Sequence, residues 1–191
     1  MKIHAMQKSI VWEGLADDTE EHCAVNFLDT GIMVRSEIEG WADGKPVYAE
    51  YVIHLDNNWN VLEFDIDFHV SDYRHAYQFR RNETGKWTDA AGKLYAEFEG
   101  CRFIDITLTP FTNSLPINGL HLTEGESAEF DLLYVDVLNN DIRIDRQKYT
   151  KMPGNIFHFE NDEGRFSADI EVDEDGFVTH YPGLFEMYKS H

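Results

Sequence analysis

The sequence predicts an all-β protein: one antiparallel domain, a barrel or half-barrel, with little helix. Three observations support this prediction. Apolar and polar residues alternate along many short segments, turn-forming residues separate those segments, and no segment has the spacing of a long amphipathic helix. A sheet with this many strands must also protect its edges. Closure or near closure into a barrel does so, and a two-sheet sandwich is the competing arrangement.

The clearest predicted strand spans residues 62–70, where apolar residues alternate with acidic residues and a histidine. Residues 47–55 and 166–172 alternate in the same way, which is typical of half-buried strands. Further strands are predicted around residues 8–14, 22–28, 32–40, 73–81, 129–137, 142–152 and 155–160. Gly, Asn and Asp residues lie between many of these segments and tolerate the positive φ of tight hairpins, so consecutive strands are predicted to pair antiparallel.

Length and charge narrow the class of protein. The 191 residues fit a single domain, residues 1–191. The net charge of −20 opposes nucleic-acid binding, which needs clustered Lys and Arg, and it opposes docking on anionic lipid surfaces. No apolar run approaches the ~18 residues of a transmembrane segment, and residues 1–8 lack the apolar core of a signal peptide. We therefore expect a soluble, cytoplasmic protein.

No cofactor or metal is predicted from motifs. Cys23 and Cys101 are distant in sequence and form no CxxC pair, so a disulfide is not implied and a reducing compartment is favoured. The nine histidines form no HExxH motif and no tight cluster with cysteine. The chain also lacks a P-loop, a GxGxxG motif and a nucleophile elbow.

The segment 105–117 is a candidate binding element. Pro110 and Pro116 cannot donate ladder hydrogen bonds, so they end regular pairing at the rim of the predicted barrel. Thr112 and Asn113 offer uncharged donors and acceptors, which suit the hydroxyls of a sugar. The alternative is a structural corner, in which these side chains bond to their own backbone.

Arg146 is a second candidate. Alternation along residues 142–152 places Arg146 on the same face as Ile144, and an unpaired charge on an apolar face is costly. Its partner could be a ligand carboxylate, phosphate or sugar, which the planar guanidinium binds well. The alternative is an internal carboxylate such as Asp105 or Asp136.

Three segments together resemble the signature of the putative glycolipid-binding family, a group of small bacterial proteins. They are residues 105–117, the motif Arg146-Gln147-x-Tyr149, and residues 173–185, which end in Tyr-Pro-Gly-Leu-Phe. Their order and spacing fit the family along the C-terminal half, and the N-terminal half fits loosely. The resemblance implies a barrel-like form, similar to that of the bacterial lipoprotein-localisation factors, which wrap a curved sheet around an acyl-binding hollow. The family pattern often has basic residues where this chain has Asn118 and Gly119.

The leading functional hypothesis is non-enzymatic binding of an amphiphile, either a glycolipid or a lipid-linked sugar, in a barrel cavity. The acyl chain would lie against the inward strand face, and Tyr181 would either cap the pocket or pack the chain end onto the barrel. The predicted ligand-binding residues are Asp105, Thr112, Asn113, Arg146, Tyr149 and Tyr181.

Two alternatives remain. The first is an enzyme acting on a small apolar substrate in the same cavity, with Asp105, Arg146 and a tyrosine as catalytic groups. A strongly shifted pKa of Asp105 beside an open cavity would favour it. The second is a protein-interaction module that uses a strand edge. A filled interior and a long unpaired strand would favour it.

Overall fold

A computed structural model describes residues 6–161 and 164–190, so the sequence prediction about the first five residues lies outside the described part. In this described part, the chain forms fifteen strands, two 3-10 helices and one short α-helix. Within the described residues, no helix has the length and apolar character needed to cross a bilayer.

The elements follow one another along the chain as follows. The strands are β1 Met6–Gly14, β2 Asp18–Leu28, β3 Gly31–Ala42, β4 Lys45–Leu55, β5 Val61–Val70, β6 Tyr73–Arg81, β7 Trp87–Asp89, β8 Leu94–Tyr95, β9 Ile104–Ile106, β10 Ser127–Asp136, β11 Asp141–Lys151, β12 Ile156–Asn161, β13 Phe166–Val172, β14 Val178–Tyr181 and β15 Phe185–Ser190. The 3-10 helices are Ala96–Phe98 and Phe111–Asn113, and the α-helix, α1, is Ser114–Gly119.

All fifteen strands belong to one sheet with the order β8-β7-β6-β5-β4-β3-β2-β1-β15-β14-β13-β12-β11-β10-β9. Two antiparallel meanders, one from each half of the chain, are joined where β1 pairs with β15. The pairing of β9 with β10 is parallel, and β8 and β9 stand at the two open ends. The all-β prediction is confirmed, and the form is a half-barrel instead of a closed barrel.

The alternation in β5 produces the expected two-sided strand. Phe64, Ile66 and Phe68 are buried, and the acidic residues between them are partly exposed to solvent. Phe64 lies opposite Phe79 of β6, with ring centroids 5.5 Å apart. Such cross-strand aromatic pairs stabilise a sheet beyond the burial of their surface, so the period of two in the sequence fixes both the strand and its register.

The segment between β9 and β10 fills the concave side of the sheet. Residues 108–117 are all buried. The ring of Phe111 lies between those of Tyr51 in β4 and Phe177 before β14, at centroid distances of 6.3 and 6.4 Å. The prediction that this segment forms an exposed rim is therefore wrong, because its apolar residues bury themselves between the two meanders as a plug. The predicted acyl hollow along the inward strand face is correspondingly occupied by packed side chains.

The plug also contacts the turn before β14. Asp173 Oδ1 accepts the backbone N–H groups of Asp175 and Phe177, which shapes the hairpin turn between β13 and β14. Gly176 in this turn has φ +78°, and a Cβ there would lie 2.4 Å from Asn118 Oδ1. Position 118 is therefore packed against the backbone of the turn, which is a physical reason for a short, uncharged side chain there.

Cys23 and Cys101 are both buried free thiols. Burial is the main cause that raises the pKa of both thiols, that of Cys101 to about 11. A thiol with a raised pKa is a poor nucleophile at neutral pH. Neither cysteine therefore fits a catalytic role.

Candidate functional site

Asp105 lies on the short strand β9 and is half-buried. Its Oδ1 accepts a hydrogen bond from Thr112 Oγ1 at 3.0 Å, and its Oδ2 accepts one from Gln147 Nε2 at 2.7 Å. Burial raises the pKa of Asp105 to about 6, although both hydrogen bonds act in the opposite direction. A carboxyl with this pKa is mostly ionised at neutral pH and becomes protonated in mild acid.

The local sequence brings Thr112 to Asp105. After β9 the chain turns at Pro110 into the 3-10 helix, which returns Thr112 towards the strand. Thr112 Oγ1 accepts the backbone N–H of Ile106 at 3.2 Å, and its own proton is then directed to Asp105. The predicted corner is thus present, and the same threonine serves both the backbone and the carboxylate.

Asn113 and Tyr149 meet in the interior. Asn113 Nδ2 donates to the Tyr149 hydroxyl oxygen at 2.8 Å, and both side chains are buried. Burial raises the pKa of Tyr149 well above its ordinary value, so the hydroxyl is neutral at physiological pH. The structure gives Asn113 Oδ1 no hydrogen-bond partner within the described part of the chain.

A cavity of about 260 Å³ adjoins these residues. Its polar lining consists of Asp17, Asp105, Thr107, Thr109, Asn113, Tyr134, Asn161 and Tyr181. Its apolar lining consists of Ile106, Leu108, Phe159, Phe166, Leu184 and Phe185. Of the predicted residues, Asp105, Asn113 and Tyr181 line the cavity, while Thr112 and Tyr149 support them from behind.

Tyr181 combines the two roles that the sequence left open. Its ring packs against Phe159 and Phe185, with centroids 6.3 and 6.2 Å away, and thereby fixes the end of the chain. The same residue lines the cavity and is only 5% exposed. Burial raises the pKa of its hydroxyl, which therefore stays neutral and can both donate and accept hydrogen bonds.

Arg146 does not reach the cavity. It is exposed, and its Nε and Nη2 donate to the two carboxylate oxygens of Asp131 at 2.7 and 3.0 Å. Asp131 is its direct cross-strand neighbour on β10, so the predicted partners Asp105 and Asp136 are wrong. Arg146 does share a face with Ile144, but at Arg146 that face is exposed to solvent, and the opposite face, with Gln147 and Tyr149, is buried.

The sequence prediction missed Gln147, which is 1% exposed. Its Nε2 donates both to Asp105 and to Asp145, at 2.7 and 3.2 Å. The alternation along β11 contained the necessary signal, since Gln147 and Tyr149 lie on the face opposite to Arg146. A site that contains Tyr149 is therefore expected to contain Gln147 and not Arg146.

Arg146→Ala is expected to leave folding almost unchanged. Exposed ion pairs contribute little to stability, so we expect the free energy of unfolding to stay within about 1 kcal/mol of the wild-type value. Urea denaturation measures this quantity. A loss of more than about 3 kcal/mol would show that the pair of Arg146 and Asp131 behaves as a buried pair.

A second polar network lies deeper in the sheet. Tyr51 and Ser36 donate their hydroxyls to Glu21 Oε1 at 2.6 and 2.7 Å, while the buried Glu21 Oε2 has no partner. Burial raises the pKa of Glu21 to about 7. The Tyr51 hydroxyl is also 3.3 Å from Thr109 Oγ1, and Thr109 lines the cavity. The network therefore connects a buried carboxyl to the cavity wall.

Fold and site together define an all-β half-barrel protein with a small cavity lined by both polar and aromatic side chains. The chain belongs to the family described as putative glycolipid-binding, which matches residues 9–187. The resemblance seen in the C-terminal half thus extends over nearly the whole chain.

Solved structures agree with this assignment. A DUF1089 family protein from Pseudomonas aeruginosa is 31% identical, with a TM-score of 0.78 over 87% of this chain and 91% of that one. A β-barrel-like protein of the domain of unknown function DUF1849 from Brucella abortus has a TM-score of 0.54 over 97% of both chains. Its identity of 9% supports the fold alone. Among curated proteins, no sequence matches this chain.

Proposed function

We propose that this protein binds an amphiphile without transforming it, and that a sugar head is held in the cavity beside Asp105. The mixed lining of the cavity carries this proposal. Asp105, Asn113 and Tyr181 present polar atoms, and Phe159 and Phe166 present aromatic rings. Ligand sites combine apolar and aromatic side chains with placed polar groups that fix the orientation of the ligand. The match to the family supports the same ligand class.

The size of the cavity limits what it can enclose. A cavity of about 150 Å³ already admits benzene, so about 260 Å³ accommodates one compact group but not a whole lipid. We therefore assign the head and the first methylenes to the cavity and the remaining alkyl chain to its mouth. Phe166 lines the cavity and is 40% exposed. Leu15 is 51% exposed, and its backbone N–H donates to the carbonyl of Leu184, which also lines the cavity. Each methylene that these side chains shield contributes about 0.8 kcal/mol.

The first test is native mass spectrometry of protein purified from its own host, followed by organic extraction. We expect a co-purifying amphiphile with a carbohydrate head. Lipid-free protein that also fails to bind decyl glucoside and fluorescent fatty acyl probes would contradict the proposal.

Phe166→Ser is expected to weaken the binding of decyl glucoside about tenfold, which corresponds to about 1.4 kcal/mol. The reason is that the phenyl ring is the exposed part of the apolar wall, so its removal uncovers the alkyl chain without emptying the core. Titration calorimetry below the critical micelle concentration measures the change. Leu28→Ser is the control, since Leu28 is 43% exposed and does not line the cavity. Equal losses in the two variants would contradict the assignment of the mouth.

One observation favours a second candidate, an enzyme. Asp105, with a pKa raised to about 6, lines the cavity together with a second carboxyl, that of Asp17. A protonated carboxyl can act as a general acid, and glycosidases use a pair of carboxyl groups. Mass analysis of decyl glucoside recovered after long incubation distinguishes the candidates: intact glycoside supports binding, whereas glucose released by the wild type and not by Asp105→Asn supports hydrolysis.

The strand-edge hypothesis gains no comparable support. It requires a long unpaired strand, whereas the strands at the two ends of the sheet, β8 and β9, have two and three residues. So short an edge offers few backbone groups to a partner strand.

A further inference from the structure

The charged residues in the cavity lining, among the residues that the structure describes, are all acidic. Asp17 and Asp105 contribute carboxyl groups, and the lining residues in the described part of the chain include no Lys, Arg or His. The four cations on the neighbouring strand β11 all have partners outside the cavity. Arg146 binds Asp131, Lys148 binds Glu160 at 2.9 Å, and Lys151 donates to the backbone carbonyls of Met152 and Gly154. Arg143 packs over the ring of Tyr134, but its guanidinium binds Asp141 at 2.7 Å. An anionic head in this cavity would thus meet like charge without a compensating cation, which is a strong ground for rejection.

The unused hydrogen-bonding groups of the cavity lining also disfavour an anionic head. Each oxygen of Asp105 accepts one protein hydrogen bond and retains a lone pair. Asn113 uses its amide nitrogen on Tyr149, which leaves its carbonyl oxygen. These oxygens are acceptors, and an acceptor shielded from water without a donor is costly. The Tyr181 hydroxyl can pair in either direction, so a ligand that satisfies this lining must bring donors for the oxygens of Asp105 and Asn113.

Hydroxyl groups supply such donors without adding charge, whereas an ionised phosphate, sulfate or carboxylate supplies acceptors only. We infer that the ligand's head is an uncharged, hydroxyl-rich group that carries no phosphate or other anion. This inference rests on the proposed function and makes it narrower. It selects glycolipids in which the sugar is joined directly to an apolar aglycone, and it rejects phospholipids and sugars linked to lipid through phosphate.

The test compares two probes with the same alkyl chain, decyl glucoside and decyl phosphate, by titration calorimetry at pH 7.5 below their critical micelle concentrations. We expect decyl phosphate to bind at least about thirtyfold more weakly, since like charges in a desolvated site oppose each other. Asp17→Asn removes one carboxylate and is expected to reduce this ratio severalfold. Asp65→Asn, on the strand β5 and away from the cavity, is the matched control and should leave the ratio unchanged.

The outcomes separate the two claims. Equal affinity for decyl phosphate and decyl glucoside would overturn the inference and leave the proposed function standing. A ratio that Asp17→Asn does not alter would also overturn it, because the selection would then not come from the carboxyl groups. If neither probe binds, the proposed function fails and the inference fails with it.

Discussion

Trp87→Ala is expected to destabilise the protein by about 4 kcal/mol, the typical cost of truncating a large buried aromatic side chain. Trp87 is fully buried, and its ring packs edge-on against Phe64 at a centroid distance of 5.9 Å. Its indole N–H also donates to the Cys101 carbonyl at 2.9 Å, which ties the segment leading into β9 to the first meander. Alanine would leave a cavity in the core and a buried carbonyl without its donor.

Chemical denaturation with urea measures this loss. The stability of Trp87→Phe is expected to lie between those of wild type and Trp87→Ala, because phenylalanine keeps one aromatic ring but loses the rest of the indole and its hydrogen bond. Trp41→Ala is the control, since Trp41 is 55% exposed, and substitutions at exposed positions usually change stability by less than about 0.5 kcal/mol. Similar losses for Trp87→Ala and Trp41→Ala would contradict the role given to Trp87.

Glu21→Gln is expected to remove a large pH dependence from the free energy of unfolding. The pKa of Glu21 is about 7 in the folded protein and 4.5 as the ordinary value. The folded state therefore binds this proton more tightly than the unfolded state does. The contribution of Glu21 to stability is consequently fully present below pH 4.5, falls as the pH rises from 4.5 to 7, and is lost above pH 7. A difference of about 2.5 units corresponds to about 3 kcal/mol.

Glutamine keeps the oxygen that accepts from Tyr51 and Ser36, and it carries no charge at any pH. We therefore expect Glu21→Gln to gain about 3 kcal/mol relative to wild type between pH 4 and pH 9. Urea denaturation at several pH values measures this difference. Any packing cost of the amide is the same at every pH and therefore cancels. Glu39→Gln changes an exposed position on β3, and its free energy of unfolding should depend on pH as that of wild type does. If Glu21→Gln also showed the pH dependence of wild type, burial would not raise the pKa of Glu21.

The sheet was largely predictable because its strands are half-buried. Every strand that alternation predicted is present in the structure, with ends that differ by a few residues. Alternation does not predict five of the strands. A period of two cannot be recognised over the two or three residues of β7, β8 and β9, and β14 and β15 are short strands on either side of the turn after Tyr181. The half-barrel form could not be separated from a closed barrel, since closure depends on how two distant sheet ends approach each other.

The candidate site was predicted in part. Asp105, Thr112, Asn113, Tyr149 and Tyr181 lie in or behind one cavity wall, although they come from four separate elements. The alternation along residues 142–152 predicts a buried partner for Arg146, because it places the charge on the same face as Ile144. Asp131 satisfies it at the surface, through a cross-strand pairing that the pattern of residues 142–152 alone does not reveal.

The amino-acid sequence is sufficient to predict most of the strands, the interruption at Pro110 and the acidity of the molecule, because alternation, ring geometry and charge act over a few residues or sum over the whole chain. The burial of residues 108–117 between the two meanders and the cavity of about 260 Å³ beside Asp105 are visible only in the folded protein. Burial and cavity size depend on how distant strands pack together. For the same reason the raised pKa values of Asp105 and Glu21 appear only in the folded protein, where packing buries Glu21 and shields Asp105 from water.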